Sequence, residues 1–380
     1  MARIRLGMVG GGSGAFIGEV HRIASRIDGR FDLVAGALSS TPEKSRASAE
    51  ELGLDPERAY GSFAEMAEAE ANRDDGIEAV SIVTPNHMHF AAAKAFLDRG
   101  IHVICDKPLT ATFEDAEAME RAVGASDALF VLTHNYTGYP MVRQAREMIE
   151  NGRIGKVRIV QLEYPQDWMT DAVETAGVKQ AEWRTDPERS GAGGAIGDIG
   201  THAYNLGSFV TGLRGEELAA DLQSFGAGRK LDDNAHILLR YEGGARGMLW
   251  CSQVAPGHEN GLRLRVIGER GAIDWCQEIP NEMWFTLHGE PTHRLTRMGP
   301  GASEAANAMS RIPPGHPEGY LEAFANLYGE AAEAIRAVQG GEPRESVMGR
   351  LPGIAAGMEG MAFIRACVSS SGKNSAWTRI

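Results

Sequence analysis

The sequence predicts an α/β protein with two domains: a doubly wound parallel sheet, followed by an α+β domain that contains a large open sheet of mixed or antiparallel strands. Apolar runs alternate with helical patterns over the first part of the chain, whereas strand-like segments later follow one another directly. The chain has 380 residues, which exceeds a comfortable single core. We therefore expect domains at 1–136 and 137–380.

Five apolar runs predict the strands of the first domain. They are IRLGMV (4–9), FDLVAGALS (31–39), IEAVSIVTP (77–85), HVICDKP (102–108) and ALFVLTHNY (128–136). Helical patterns between them lie at about 18–28, 41–53, 89–100 and 112–124. Parallel strands need crossover connections, so this alternation predicts a parallel sheet with helices on both faces.

The second domain begins with a predicted helix at about 139–151 and the strand VRIVQLEY. An irregular stretch from 165 to 195 follows. Further strands are predicted at 235–241, 245–252, 262–267 and 271–276, and helices at about 318–338 and 352–369. Strands in sequence without intervening helices indicate antiparallel or mixed pairing.

Composition excludes several classes of protein. The net charge of −13 argues against a nucleic-acid surface, which needs clustered Lys and Arg. The four cysteines lie far apart, form no C-x-x-C pair and suit a reducing compartment. No secretory leader and no apolar run long enough for a bilayer are recognised. We therefore expect a cytoplasmic protein with no membrane partner.

The segment GMVGGGSGAFIGEVHR (7–22) places six glycines within twelve positions after the first predicted strand. Gly10 and Gly12 fit a G-x-G-x-x-G pattern, and either Ala15 or Gly18 takes the third place. Such a loop is a tight strand-to-helix turn or a cradle whose backbone N–H groups bind a pyrophosphate. Its place after the first strand of a doubly wound domain favours the nucleotide interpretation.

Polar residues at the ends of later strands are candidates for the same crevice. Ser39 and Ser40 stand where a ribose-binding carboxylate is expected, and Lys44 is the nearest cation downstream, so NAD and NADP both stay open. The turn Thr84-Pro85-Asn86 is placed to line the nicotinamide side. His87 and His89 beside it are surface or capping histidines, or metal ligands, but the local sequence supplies no third ligand.

Two further segments carry groups suited to proton transfer. Lys107 in CDKP is a candidate to bond a reacting oxygen, or a loop lysine paired with Asp106. Asp198 and His202 are four residues apart and would share one helix face. This spacing suits a histidine base with a carboxylate partner, or a helix N-cap followed by an ordinary polar histidine.

Taken together, the chain resembles the Gfo/Idh/MocA family of nicotinamide-dependent oxidoreductases, which includes inositol and sugar dehydrogenases. The glycine loop, TPNHMH, CDKP, ENGRIGKV, WRTDPERSGAGGAIGDIGTH and the closing helix stand in the family's order. The resemblance implies a Rossmann domain at 1–136 and a substrate-binding and oligomerisation domain at 137–380. It also implies a catalytic trio of Lys107, Asp198 and His202.

The chain departs from the family pattern at two places. Asp106 replaces the usual glutamate before the lysine. The glycine loop has three extra residues, and Gly18-x-x-His21 matches the usual third glycine and following histidine, which leaves residues 13–17 as an expanded tip.

The strand ends, the glycine loop and the motifs together give the expected ligand contacts. The expected cofactor contacts are Gly10, Gly12, Ser13, Gly14, Ala15, Phe16, Ile17, Gly18, Ser39, Ser40, Lys44, Thr84, Pro85, Asn86, His89, Asp106 and Lys107. The expected substrate contacts are Tyr136, Trp183, Arg184, Asp198, His202 and His316. Tyr136 is alternatively an aromatic residue that packs at the domain boundary.

The expected function is hydride transfer between NAD or NADP, with NAD the first choice, and a secondary alcohol of a cyclic polyol, sugar or sugar derivative. His202 would take the alcohol proton and Lys107 would bond the substrate oxygen. A homodimer or homotetramer is expected, without a bound metal. The alternatives are a metal-dependent lyase or hydrolase that uses His87, His89, Asp198 and His202, and a non-catalytic nucleotide-binding sensor.

Overall fold

The computed structural model describes residues 2–176, 179–349 and 351–380. The chain divides into two compact units. The first comprises Met1–His134 and Phe324–Met358, and the second comprises Asn135–Ala323 and Glu359–Ile380. The first unit therefore includes a segment, Phe324–Met358, that the sequence-based division placed in the second domain.

The first 134 residues alternate strand and helix. The elements are β1 (Ile4–Gly10), α1 (Phe16–Ile27), β2 (Phe31–Ala37), α2 (Pro42–Glu51), α3 (Phe63–Ala71), β3 (Ala79–Val83), α4 (His89–Leu97), β4 (His102–Cys105), α5 (Phe113–Ala125) and β5 (Phe130–Leu132).

The sheet of the first unit has the strand order β2-β1-β3-β4-β5, and all four strand pairs are parallel. All five residues of β3 are buried, as is typical of a parallel sheet with both faces covered. The predicted parallel sheet is confirmed. Strands β2 to β5 end earlier than their apolar runs, because those runs continue into the loops at the carboxyl edge, whereas β1 ends at Gly10, one residue after its run.

Local sequence explains where the helices begin. Thr112 precedes α5 and its hydroxyl accepts the N–H of Asp115 at 3.1 Å. Pro42 occupies the first position of α2, where its missing N–H costs no hydrogen bond. Helix α3, which the sequence patterns did not predict, begins in the same way, with Ser62 accepting the N–H of Glu65 at 3.2 Å.

The rest of the chain contains longer strands and several helices. The elements are α6 (Pro140–Glu150), β6 (Val157–Pro165), α7 (Lys179–Arg184), α8 (Pro187–Ser190), α9 (Thr201–Thr211), β7 (Gly215–Gln223), β8 (Asn234–Tyr241), β9 (Arg246–Ser252), β10 (Arg263–Gly268), β11 (Gly271–Cys276), β12 (Glu282–Leu287), β13 (His293–Thr296), α10 (Glu304–Ala308), α11 (Tyr320–Gln339), α12 (Arg344–Met348), α13 (Ile354–Ser371) and β14 (Thr378–Arg379).

The second sheet has nine strands in the order β13-β12-β11-β10-β6-β9-β8-β7-β14. Strands β6 and β9 pair in parallel, and the remaining pairs are antiparallel. This large mixed sheet confirms the predicted fold class. Helix α9 packs closely on one face of this sheet. Gly207 on α9 lies so near β6 that a Cβ at this position would be 3.0 Å from Cδ1 of Leu162.

The segment Phe324–Met358 joins the first unit through hydrogen bonds to its backbone. Arg344 donates to the carbonyl oxygens of Ala128 at 2.9 Å and Val123 at 2.7 Å. The N–H of Leu132 in β5 donates to the carbonyl of Pro352 at 2.8 Å. Among the described residues, none of the helices combines the length and the apolar character needed to cross a membrane.

Candidate functional site

Glycines shape the loop between β1 and α1. Gly10 and Gly11 have φ values of +76° and +70°, which favour glycine. A Cβ at Gly18 would lie 2.4 Å from both Cα and O of Gly11. Gly18, rather than Ala15, therefore corresponds to the third glycine of the pattern, because the close packing of α1 against the loop requires a residue without a side chain there.

The second half of the loop is tied to β2 and α2. The N–H of Gly12 donates to the carbonyl of Leu38 at 3.0 Å, and the N–H of Ser13 donates to Oγ of Ser48 at 3.1 Å. A Cβ at Gly12 would lie 2.7 Å from both acceptors. The loop backbone thus forms a cradle, and a side chain at position 12 would collide with the groups that hold the loop in place.

Helix α1 begins two residues earlier than the pattern predicts, at Phe16. The expected tip of residues 13–17 is therefore shorter: residues 13–15 form it, and Phe16 and Ile17 belong to the first helical turn. Ala15 is the N-cap and has no polar side-chain atom to accept from the first-turn N–H groups. This helix end suits an anion, because it is the positive end of the helix dipole and the first backbone N–H groups of a helix have no acceptor within the helix.

The edge after β2 carries the predicted ribose contacts. Ser39 is half-buried, and Ser40 and Lys44 are exposed. The hydroxyl of Ser45 accepts the N–H of Leu38 at 2.8 Å and donates to the carbonyl of Tyr60 at 2.7 Å, which fixes this turn. The hydroxyl and ammonium groups here suit either a ribose hydroxyl or a phosphate.

The turn after β3 lies directly against the glycine loop. A Cβ at Gly10 would lie 2.9 Å from Cγ2 of Thr84. Oγ1 of Thr84 is buried and has no hydrogen-bond partner within the described part of the chain. A buried hydroxyl without a partner is costly, and a ligand amide or hydroxyl would satisfy it. Pro85 is half-buried beside it, and Asn86 is buried.

His89 is fully buried, and its ring contacts backbone. Nδ1 lies 2.9 Å from the carbonyl oxygen of Pro108 and Nε2 lies 3.0 Å from that of Thr84. Burial lowers the pKa of His89. The ring therefore braces the turn after β3 against the segment after β4. His87 is exposed, and no group of three or more metal-binding side chains occurs in residues 2–176, 179–349 and 351–380.

Lys107 follows β4 and is anchored through its backbone. Its N–H donates to Oδ1 of Asp106 at 2.9 Å. The same oxygen accepts the hydroxyl of Thr133 at 3.0 Å. Asp106 thus fixes the backbone from which the Lys107 side chain starts.

In the second unit, Asp198 lies within a π-helical turn, Ile196–Gly200, which continues into α9. The residue is not a helix N-cap, because Ala195 precedes the turn. Oδ2 of Asp198 accepts from Nε of Arg184 at 3.1 Å and from Nε2 of Gln253 at 2.9 Å. Such turns occur frequently at functional sites.

Asp232 holds the segment that leads into this turn. Its carboxylate accepts the N–H groups of Gly194 at 2.7 Å and Ile196 at 2.8 Å. Burial raises the pKa of Asp232 to about 6. A cavity lined by Arg184, Asp198, Asp232 and Gln253 lies beside them. The sequence patterns missed Asp232 and Gln253.

His202 lies in the first turn of α9, buried among aromatic rings. The ring of Tyr136 meets it edge-on with a centroid distance of 4.8 Å. The hydroxyls of Tyr136 and Tyr164 share a short hydrogen bond. Burial raises the pKa of Tyr136 and of Tyr164. Tyr164, near the carboxyl end of β6, was not predicted.

The remaining substrate candidates are placed differently. The guanidinium of Arg184 lies 4.5 Å from the ring centroid of Trp183 and bonds Asp198, so α7 is linked to the π turn. His316 lies on an exposed loop, where its carbonyl oxygen accepts from Nη2 of Arg297 at 2.6 Å. The structure thus places Tyr136 beside His202, and it places Arg184 in contact with both Trp183 and Asp198.

Comparison with known proteins agrees with this architecture. Residues 4–126 match a model described as "Oxidoreductase family, NAD-binding Rossmann fold", and residues 142–274 match "GFO/IDH/MocA C-terminal domain". An oxidoreductase structure from Sinorhizobium meliloti is 62% identical, with 99% of each chain covered and a TM-score of 0.89. The predicted resemblance and the nicotinamide cofactor class are confirmed.

The descriptions of two similar proteins name myo-inositol and levoglucosan. An inositol dehydrogenase homologue from Azotobacter vinelandii, solved with NADH and myo-inositol, is 37% identical over 100% of this chain and 98% of its own, with a TM-score of 0.92. Levoglucosan dehydrogenase of Pseudarthrobacter phenanthrenivorans is 30% identical over 317 residues, 77% of this chain and 79% of its own.

Proposed function

Because the chain belongs to the Gfo/Idh/MocA family of NAD-binding oxidoreductases, we propose that it transfers a hydride between a nicotinamide cofactor and a secondary alcohol of a cyclic polyol, sugar or sugar derivative. The observation that carries the substrate class is the set of hydrogen-bonding side chains around Asp198 in the second unit. Arg184, Gln253 and the nearby Trp183 offer donors and an aromatic plane, which suit a ring with several hydroxyls.

The cofactor is assigned to the first unit. The cradle of Gly10, Gly12 and Gly18 and the start of α1 would hold the pyrophosphate, and the Thr84 hydroxyl would bond the nicotinamide side. Ser39, Ser40 and Lys44 would meet the ribose and leave both NAD and NADP as candidates. When bound, the nicotinamide supplies the hydride acceptor.

The chain's own groups handle the proton. His202 would accept the proton of the substrate alcohol, and its burial among aromatic rings limits access of water to the ring. Lys107 would donate a hydrogen bond to the substrate oxygen and favour its alkoxide character. Asp198, whose charge is balanced by Arg184, would orient the substrate or the His202 ring.

The test uses Lys107→Ala and His202→Ala with NAD⁺ or NADP⁺ and a panel of inositols, aldoses and sugar acids, followed by absorbance of the reduced nicotinamide. Each variant is expected to lose turnover by about 10²–10⁴-fold, with cofactor affinity retained. The matched controls are Lys94→Ala and His87→Ala, which change exposed residues. Near-normal turnover in both catalytic variants would overturn the assigned roles.

We further propose that a second copy of this chain covers the open face of the nine-stranded sheet. Register places Ile159, Leu238, Met248 and Trp284 on that face. Their exposed fractions of 40%, 56%, 38% and 41% are high for apolar side chains. The ion pair Arg240–Glu217 lies on the same face, so these two side chains add no net charge to it.

Light scattering after size-exclusion chromatography tests this association. Leu238→Asp is expected to shift the protein toward monomer, because it buries a charge in the contact. Phe225→Asp, which changes an exposed aromatic residue outside the strands, is the control. A monomeric wild-type protein at micromolar concentration would contradict the proposal.

A further inference from the structure

His21 is a buried histidine for which the function proposed above has no role. It lies on α1, three residues after the glycine that packs on Gly11, and its exposed fraction is 0%. Burial lowers its pKa to about 4. The ring is therefore neutral at ordinary pH, and one nitrogen carries a proton while the other accepts.

Two hydroxyls surround Nδ1 of His21. Oη of Tyr328, on α11, lies 2.8 Å from Nδ1, and Oγ of Ser81, in the middle of β3, lies 3.3 Å from it. The two hydroxyl oxygens are 2.9 Å apart. A chain in which Ser81 donates to Tyr328 and Tyr328 donates to Nδ1 gives both hydroxyl protons and Nδ1 a partner, and it places the ring proton on Nε2.

The opposite nitrogen faces a carboxylate. Nε2 of His21 is buried and has no hydrogen-bond partner within the described residues. Its nearest acidic atom is Oδ1 of Asp106 at 4.0 Å, about 1 Å beyond the usual range of an N–H···O bond. The negative charge of Asp106 favours the same tautomer, with the proton on Nε2.

Oδ1 of Asp106 is also the atom that anchors Lys107. It accepts the backbone N–H of Lys107 and the hydroxyl of Thr133 at 2.9 and 3.0 Å. A proton on Nε2, 4.0 Å from this oxygen, attracts the carboxylate electrostatically. The buried His21 ring thus lies between the Tyr328 hydroxyl on one side and the Asp106 carboxylate, which anchors the Lys107 backbone, on the other.

We propose that His21 is a positioning residue for Lys107: its Nε2–H, set by the Tyr328 and Ser81 hydroxyls, holds the Asp106 carboxylate that fixes the Lys107 backbone. The kinetic part of this role rests on the proposed function, in which Lys107 bonds the substrate oxygen. The structural part, the tautomer and its carboxylate partner, does not depend on that function.

The first experiment needs neither cofactor nor activity. Imidazole ¹⁵N spectra of the protein at neutral pH, with His21 assigned by its loss in His21→Gln, are expected to show the proton on Nε2. Asp106→Ala is expected to shift the Nε2 resonance, whereas Asp115→Ala, on α5, leaves it in place. A proton on Nδ1, or an Nε2 resonance indifferent to Asp106→Ala, would overturn the proposal.

The second experiment compares two amides. Glutamine at position 21 places its amide nitrogen where Nε2 stands, whereas asparagine reaches only the Nδ1 side. We expect His21→Asn to lower kcat by about tenfold or more, and His21→Gln to stay within about threefold of wild type, since a hydrogen bond to a charged group is at stake. NADH affinity, measured by fluorescence, should change little in either variant.

An equal loss of kcat in His21→Gln and His21→Asn would mean that the ring only fills space, which contradicts the positioning role. Lys107→Ala separates the two proposals. If Lys107→Ala keeps its turnover, the proposed function fails, and the ¹⁵N spectra alone then decide whether His21 holds Asp106. If Lys107→Ala is inactive while His21→Asn keeps wild-type kcat, the positioning role fails alone.

Discussion

Gln253 donates a hydrogen bond from Nε2 to Oδ2 of Asp198 at 2.9 Å, although the two residues are 55 positions apart in the chain. Arg184 donates to the same oxygen from a third segment. The carboxylate is therefore held by one neutral and one charged donor, and its direction is fixed by residues outside the π turn that carries it. Hydrogen bonds to a charged group are stronger than those between neutral groups.

We expect Gln253→Ala to reduce kcat/KM for the polyol or sugar substrate by about tenfold to a hundredfold, because a hydrogen bond to a charged group contributes about 1.5–3 kcal/mol. Affinity for the reduced cofactor should stay the same. Gln223→Ala, which removes an exposed amide bonded to Asp221, serves as the control. An unchanged kcat/KM in Gln253→Ala would show that the Gln253 amide is not needed to orient Asp198.

Gly18→Ala is expected to disturb the glycine loop. The new Cβ would lie 2.4 Å from backbone atoms of Gly11, so α1 or the loop must shift. Overpacking of this kind costs about 1–3 kcal/mol, and the cradle would bind NADH more weakly. Thermal unfolding and NADH fluorescence titration measure both effects.

The control for that change is Gly124→Ala, on α5, where a Cβ meets nothing within 4 Å. Replacing a helix-interior glycine by alanine there should stabilise the protein by about 0.5–1 kcal/mol. A Gly18→Ala protein with wild-type stability and NADH affinity would contradict the role given to close packing at this position.

We expect the free energy of unfolding to depend on pH through the buried side chain of His102. Its Nδ1 accepts the N–H of Leu129 at 2.9 Å, and burial lowers its pKa from 6.5 to about 4. Between these values the unfolded chain binds the proton and the folded chain does not, so the free energy of unfolding falls as pH falls from 6.5 to 4. The full loss from this one residue is about 3 kcal/mol.

His102→Asn keeps an acceptor on the Nδ1 side and removes the titration, so its stability should depend less on pH across this window. Chemical denaturation at several pH values measures the difference, with His87→Asn, at an exposed position, as the control. Burial also lowers the pKa of His21 and His134 to about 4, so the variant still shows part of the slope. Identical slopes for wild type and His102→Asn would refute the prediction.

The sequence predicted the first sheet well because parallel strands buried on both faces are short continuous apolar runs. Strand β3 is an example, with all five residues buried. The sequence did not predict β7. Its segment GEELAADLQ is rich in residues that favour helices, and its strand conformation depends on pairing with β8. Tertiary pairing overrides local preference there.

Sequence patterns point to candidate site residues where these follow a strand or a recognised motif, as with Thr84 and Lys107. Gln253, Asp232 and Tyr328 gave no such signal, because each acts on a residue far away in the chain. The Tyr328 hydroxyl reaches His21 across 307 positions. Such contacts are created by packing, and a local pattern does not contain them.

The π turn at Ile196–Gly200 has a consequence for how this site can vary. A π turn accommodates one residue more than the equivalent α-helical turn, and one residue of an α-helix corresponds to a rotation of about 100°. Removing a single residue from this turn would therefore swing the Asp198 carboxylate away from Gln253 and Arg184 while α9, with His202, keeps its own hydrogen bonds. Under the proposed function, a single deletion would then change the selectivity among the ring hydroxyls of the substrate and leave the scaffold intact.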